Sequence, residues 1–178
     1  LCAVAVAASA LSLTSVWNQA LAIPAEGAII TVAKGESLGR VLARAEHNGW
    51  LTRGSWVGVV AQWQGLDEHI QAGEFSLNAP LTAGEFIAKL AGGDVVRRSV
   101  TLPEGITLAE AIEILHRESA LAKTPLSDLT TALLAMTGRQ DSAEGLFLPE
   151  TWSYIRGDSD LDILRRSHYA LTELLSSL

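Results

Sequence analysis

The sequence predicts an α+β protein exported behind an apolar leader. Three features carry that reading: a start without charged side chains from Leu1 to Ala25, a strand-helix-helix-strand order between Ala28 and Leu77, and two Thr-x-x-Glu helix starts further on.

The opening run, Leu-Cys-Ala-Val-Ala-Val-Ala-Ala-Ser-Ala-Leu-Ser-Leu, is apolar on all sides, and the first charged residue is Glu26. Such a segment suits a transmembrane anchor over residues 1–22, with Trp17 at the interface, or a signal segment cut after Ala20-Leu21-Ala22. Either way the remainder is expected outside the cytoplasm. No initiator Met and no basic flank precede Leu1, so the natural start is expected upstream.

Ala28-Ile29-Ile30-Thr31-Val32-Ala33 is a β-branched run that ends at the turn pair Lys34-Gly35. A helix follows behind Ser37, with Leu38, Val41, Leu42 and Ala45 on one face and Asn48-Gly49 as its stop. A second helical stripe, Trp56, Val59, Val60 and Trp63, begins after Ser55 and ends at Gly65. Gly73-Glu74-Phe75-Ser76-Leu77 then alternates as a strand.

Thr82-Ala-Gly-Glu85 and Thr107-Leu-Ala-Glu110 both fit the capping box, opening helices with apolar faces at Phe86, Ile87, Leu90 and at Leu108, Ile112, Leu115. Between them a strand is expected within Val95 to Leu102, leading into Pro103-Glu104-Gly105 as a hinge-like link between two lobes, and residues 81–102 read as a linking helix and strand. A further helix spans Ser127 to Met136 and closes at Gly138. The last, after Gly157-Asp158-Ser159, aligns Leu164, His168, Leu171 and Leu175. It finishes without Gly, Pro or a basic last turn, so the natural chain is expected to continue past Leu178.

Composition excludes several functions. A formal charge of -7, from 13 basic and 20 acidic side chains among 178 residues, opposes the phosphate attraction behind nucleic-acid binding. The single cysteine, Cys2, lies in the leader, which leaves no intrachain disulfide and no thiolate metal site. His47, His69, His116 and His168 stand in separate segments, and no phosphate loop or serine-hydrolase motif occurs. Neither a metal nor a cofactor is expected.

The unusual stretch runs from Ala143 to Tyr154, with two carboxylates, a Gly, a Pro and three aromatics in a segment that fits neither helix nor strand. Aromatic faces stack on sugar rings, and carboxylates accept hydroxyl hydrogen bonds or protonate a glycosidic oxygen. Glu144, Phe147, Pro149, Glu150, Thr151 and Tyr154 are therefore candidates for the wall of a glycan groove, with Glu104 a further one. The plainer alternative makes Phe147 and Trp152 ordinary core, Gly145 and Pro149 a turn, and Glu144 a cap.

Glu-Gly-Leu-Phe-Leu-Pro-Glu-Thr-Trp at 144–152 resembles the signature of the MltG (YceG-like) endolytic murein transglycosylases. Ile70 to Leu77, Leu81-Thr82, and Leu102-Pro-Glu-Gly-Ile-Thr-Leu108 resemble that family's other landmarks in the same order. The resemblance implies a membrane helix (1–22), a LysM-like βααβ subdomain that binds glycan (27–80), the link, and the first part of a mixed α/β catalytic domain (103–178). It implies an inner-membrane, single-pass protein whose soluble part faces the periplasm and whose partners are peptidoglycan strands, the membrane and peptidoglycan synthases. Its chemistry is non-hydrolytic: a glutamic acid protonates the leaving oxygen between N-acetylmuramic acid and N-acetylglucosamine, and the muramic 6-hydroxyl closes a 1,6-anhydro end. The family's catalytic glutamate lies in a Ser-Ile-Ile-Glu-Lys-Glu type helix, and nothing like it occurs before Leu178, so no residue here takes that role and the chain alone is expected to be inactive. A competing reading makes Glu144 the acid. Rival functions are a non-catalytic peptidoglycan-binding or divisome-scaffold module and a solute-binding ectodomain.

Overall fold

The computed structural model describes residues 13–177. The chain divides into a first compact unit that ends at Val96 and a second that begins at Arg97. Each holds one two-stranded antiparallel sheet among the described residues, so the architecture is mixed α+β, as the sequence predicts.

The first unit contains β1 (Ala28–Val32), α1 (Leu38–His47), α2 (Gly54–Trp63), a 3-10 turn (Asp67–His69), β2 (Gly73–Leu77) and α3 (Ala83–Gly92). β1 and β2 pair with Ala28 opposite Leu77 and Val32 opposite Gly73, so the βααβ order closes into one sheet. α1 buries the four residues its periodicity selects, Leu38, Val41, Leu42 and Ala45. It stops at Gly49, whose φ of 74° suits a residue without a Cβ, and the Trp50 amide donates back to the Ala45 carbonyl at 3.0 Å.

α2 departs from its expected face. It buries Gly54, Val57, Val60 and Ala61, and turns Trp56, Val59 and Trp63 outward. The cause lies at its start. Arg53 takes a left-handed φ of 54°, and the Glu46 carboxylate accepts from the Gly54 amide at 2.6 Å, which fixes the helix's rotation. A Cβ at Gly54 would come 3.0 Å from the Glu46 carboxyl carbon, and one at Gly58 3.3 Å from a Leu42 methyl. Close approach of α1 thus selects the small face and rejects the bulky stripe. β2 also departs from alternation: four of its five residues, Gly73, Glu74, Phe75 and Leu77, are buried. The Val96 amide donates to the Glu74 carbonyl at 2.7 Å, so following chain covers the strand's second edge.

α3 belongs to the first core, where Phe86, Ile87 and Leu90 are fully buried, although the sequence reads it as a link. Its capping box is present: Thr82 Oγ1 accepts from the Glu85 amide, and Glu85 accepts from the Thr82 amide at 2.8 Å.

Part of the expected anchor is built into this unit. Residues 13–17 are helical, and Val16, Leu21 and Ile23 join the core. The Leu21 amide donates to the Leu81 carbonyl, the Ala22 amide to Trp50, and the Ala83 amide to Gln19. Residues 1–12 of that expected anchor lie outside the described residues. Among the described residues no helix is long and apolar enough to cross a membrane.

The second unit contains β3 (Arg97–Thr101), α4 (Leu108–Arg117), α5 (Leu126–Thr137), β4 (Thr151–Ile155) and α6 (Asp160–Ser176). β3 and β4 pair with Arg97 opposite Ile155 and Thr101 opposite Thr151. β4 takes the end of the stretch that fits neither helix nor strand by sequence; Thr-Trp-Ser-Tyr-Ile alternates, with Tyr154 buried in the core. α5 closes at Gly138, with φ 68°. α6 opens on a third capping box, Ser159 with Asp162, and its stripe fades outward: Leu164 is buried, His168 and Leu171 are half-buried, and Leu175 is exposed.

Docking of the early chain on α3 is tested at Gly84, where an added Cβ would strike the Trp17 indole. Gly84→Val should destabilise the first unit by roughly 1–3 kcal/mol through overpacking, read as a lower denaturation midpoint. An unchanged midpoint would show that Trp17 does not rest there.

Candidate functional site

The second unit carries a cleft of about 370 Å³ beside the start of α4. Its walls are Leu102 and Pro103 after β3, Ile106 to Leu108 at the α4 N-terminus, the irregular segment Glu144 to Pro149, and Leu171 of α6. The surface is mainly apolar, with a carboxylate at the rim.

Helix opening dictates that geometry. The first amides of a helix have no partner within it and need outside acceptors. At α4, Thr107 Oγ1 accepts from the Glu110 amide at 3.3 Å, and Glu110 returns the bond to the Thr107 amide at 2.8 Å. Of the first-turn amides outside that box, Glu144 takes the one of Leu108: both carboxylate oxygens accept from that N–H, at 2.9 and 3.0 Å. Glu110 is held below the usual carboxylate range, first by the Thr107 amide and then by the Thr107 hydroxyl.

The segment is held from its other side by α6. Ser167, fully buried, donates its hydroxyl to the Leu148 carbonyl at 3.0 Å, and the Leu148 amide donates to the Ser167 carbonyl at 3.3 Å. His168 Nδ1 lies 2.9 Å from the Leu146 carbonyl, which makes that nitrogen the protonated one, and the ring sits 6.1 Å from that of Phe147. Gly145, with φ 72°, makes the turn that brings Glu144 onto α4 while Phe147 faces the cleft.

Of the candidates read from sequence, Glu144, Phe147 and Pro149 line this cleft together. Glu104 is exposed and lies outside the lining. Glu150 is exposed, and its Oε1 accepts from the Thr151 amide at 2.9 Å. Thr151 pairs its hydroxyl with that of Thr101 across the sheet at 2.8 Å. Tyr154 is the clear correction: only 1% exposed, it donates its hydroxyl to Glu118 at 2.5 Å inside the second core. Strand alternation sends it inward, away from any groove. Conversely Ile106, Leu108 and Leu171 line the cleft without having been singled out as site residues, although the Leu102 to Leu108 stretch stands out in the sequence.

A second polar cluster is structural. Asp160, fully buried at the start of α6, accepts from the Thr124 hydroxyl at 2.5 Å and the Leu161 amide at 2.7 Å, and meets His116 Nε2 of α4 at 2.8 Å. No group of three or more His, Cys, Asp or Glu placed to hold a metal occurs among the described residues.

The sequence pattern of the YceG-like family matches residues 30–177 of the chain. The protein belongs to the YceG-like family. This is a family of murein transglycosylases. The match takes in both units and every wall of the cleft. The crystal structure of a yceG-like protein from Listeria monocytogenes is similar over 85% of this chain and 56% of that one, with 14% identity and a TM-score of 0.40. This chain therefore spans just over half the length of that relative. No curated protein matches. In this YceG-like chain the cleft wall combines five residues of the 144–152 run, Glu144, Gly145, Phe147, Leu148 and Pro149, with residues of the Leu102 to Leu108 stretch.

The sealed position of Tyr154 has a pH consequence. Burial first, and then the hydrogen bond to Glu118, push its phenol up to about 12 from an ordinary 10. A raised folded value means stability that is complete below pH about 10 and is lost as pH rises through about 12. Ultraviolet titration should show a late phenolate step coupled to loss of structure and missing in Tyr154→Phe; a variant with the same late step would place that phenol in water.

Proposed function

We propose that this chain is the front portion of an endolytic peptidoglycan lytic transglycosylase, and that its second-unit cleft is one wall of the glycan groove. The observation that carries the reading is the joint placement of Phe147, Pro149 and Glu144 around an apolar furrow. Phe147 offers a ring to the apolar face of an amino sugar, and Glu144 offers carboxylate lone pairs to hydroxyl or amide donors. Family membership supports the substrate class.

In this reading the proton donor lies beyond Leu178. Glu144 is committed to the α4 amide by both of its oxygens, which suits a positioning carboxylate and not a group that must release a proton to a leaving oxygen. The full protein then protonates the oxygen between N-acetylmuramic acid and N-acetylglucosamine. The C–O bond to that oxygen breaks, and the 6-hydroxyl of the same muramic acid attacks the anomeric carbon and gives up its proton. The product is a 1,6-anhydro end and no water is consumed. The paired βααβ arrangement of the first unit supports a LysM-like, glycan-binding role for that unit. The apolar leader supports tethering to the cytoplasmic membrane, with the soluble part on its outer side beside peptidoglycan synthases.

The complete protein should release anhydro-ended fragments from uncrosslinked glycan strands, while the 178-residue chain binds such strands and cleaves none. Mass spectrometry of the products decides: hydrated reducing ends would make it a hydrolase, and cleavage by this chain alone would move the acid into it. Phe147→Ala should weaken strand retention roughly three- to tenfold, the scale of one aromatic contact. Undiminished retention would remove Phe147 from the groove.

A further inference from the structure

The outward face of α2 has no partner among the described residues that would account for its chemistry. Trp56, Val59 and Trp63 are 54%, 52% and 87% exposed, and their spacing of three and four residues sets them in one stripe along the helix. Two indoles with a valine between them form a continuous apolar surface whose removal from water is favourable.

The early chain bears on what covers it. Gln19 Nε2 donates to the Thr52 carbonyl at 2.8 Å, and the Thr52 hydroxyl donates to Gln19 Oε1 at 2.6 Å. Thr52 lies just ahead of Gly54, where α2 begins, and Trp56 stands in the first turn of that helix. At about 1.5 Å of rise per residue, Trp56 stands about 3 Å along the axis from Gly54, the residue two after Thr52. After its helical residues 13–17, with Trp17 against Gly84 of α3, the early chain therefore passes at Gln19 beside the end of α2 that starts the stripe.

The stripe also has the chemistry of a headgroup boundary. An indole joins an apolar body to one N–H donor, which suits it to the level between acyl chains and water. Arg53, Ser55, Gln62 and Gln64 flank it in sequence and Asp67 shares a groove with Ser55, Val59 and Gln62, which gives one cation, one carboxylate and neutral hydrogen-bonding groups, and the chain as a whole is acidic at -7. Burial, not charge, would hold such a face down.

We propose that the Trp56, Val59 and Trp63 face of α2 lies in the headgroup region of the lipid bilayer that takes up the leader, and so fixes the orientation of the first unit on the membrane. This rests on the leader being a membrane anchor, as in the proposed function.

The test uses the full chain with Cys2→Ser and a nitroxide at Val59→Cys, reconstituted in phosphatidylcholine vesicles. Flotation reports the anchor, and collisions of the label with oxygen and with an aqueous nickel complex report its depth. The chain should float, nickel access at position 59 should fall several-fold relative to lipid-free detergent solution, and added salt should not restore it. Trp56→Glu with Trp63→Glu, both at exposed positions, should return the label to water while flotation persists. Floating protein with a label open to nickel overturns the proposal and leaves the anchor standing; protein that does not float removes both. Spin–spin broadening that vanishes on dilution with unlabelled protein would assign the face to a second copy instead. Protection that appears only on adding glycan strands would assign it to sugar.

Discussion

The amide of Leu108 needs an acceptor, and the structure of the cleft depends on how that need is met. A helix start leaves its first N–H groups unpaired, and α4 satisfies them from two places: its own Thr107 and Glu110, and Glu144 from 36 residues along the chain. The long-range bond ties an irregular segment to a helix. Side-chain acceptors at helix starts are typically worth about 0.5–2 kcal/mol, so this contact contributes to stability while it sets the width of the furrow. Ser167 and His168 hold the same segment from α6, which leaves Phe147 on a wall fixed from both sides. Binding sites gain affinity when their walls are ordered beforehand.

Much of this was legible in the sequence, and the failures share a cause. Local chemistry was readable: the four-residue face of α1, the stop at Gly49, and both Thr-x-x-Glu capping boxes stand where their residues place them. What periodicity alone did not reveal was which of two possible faces a neighbour would accept. α2 offers a bulky stripe and a small one, and α1 packs against Gly54 and Gly58 because they permit close approach. The capping box of α6 escaped notice because Asp162 stands where Glu or Gln is the usual sign.

The signature stretch shows the same division. Its residues divide between a furrow and plain structure: Glu144, Phe147 and Pro149 line the furrow, while Trp152 and Tyr154 belong to the strand and core. Glu144 is a cap and also part of the rim; Phe147 packs on the second core and also lines the furrow. Tyr154 and Trp152 went to the sheet, where alternation drives Tyr154 inward. A run rich in aromatics and carboxylates therefore marks a region, and the backbone decides which of its members face outward.

The claim at the centre is that glycan meets the second unit at the α4 opening. It is tested most directly by titrating isotopically labelled chain with uncrosslinked glycan oligomers while following backbone amide resonances. The account expects the amides of Gly105, Leu108, Gly145 and Phe147 to shift together and to saturate at one concentration. Saturable shifts confined to residues before Val96, with those four amides unmoved, would contradict it.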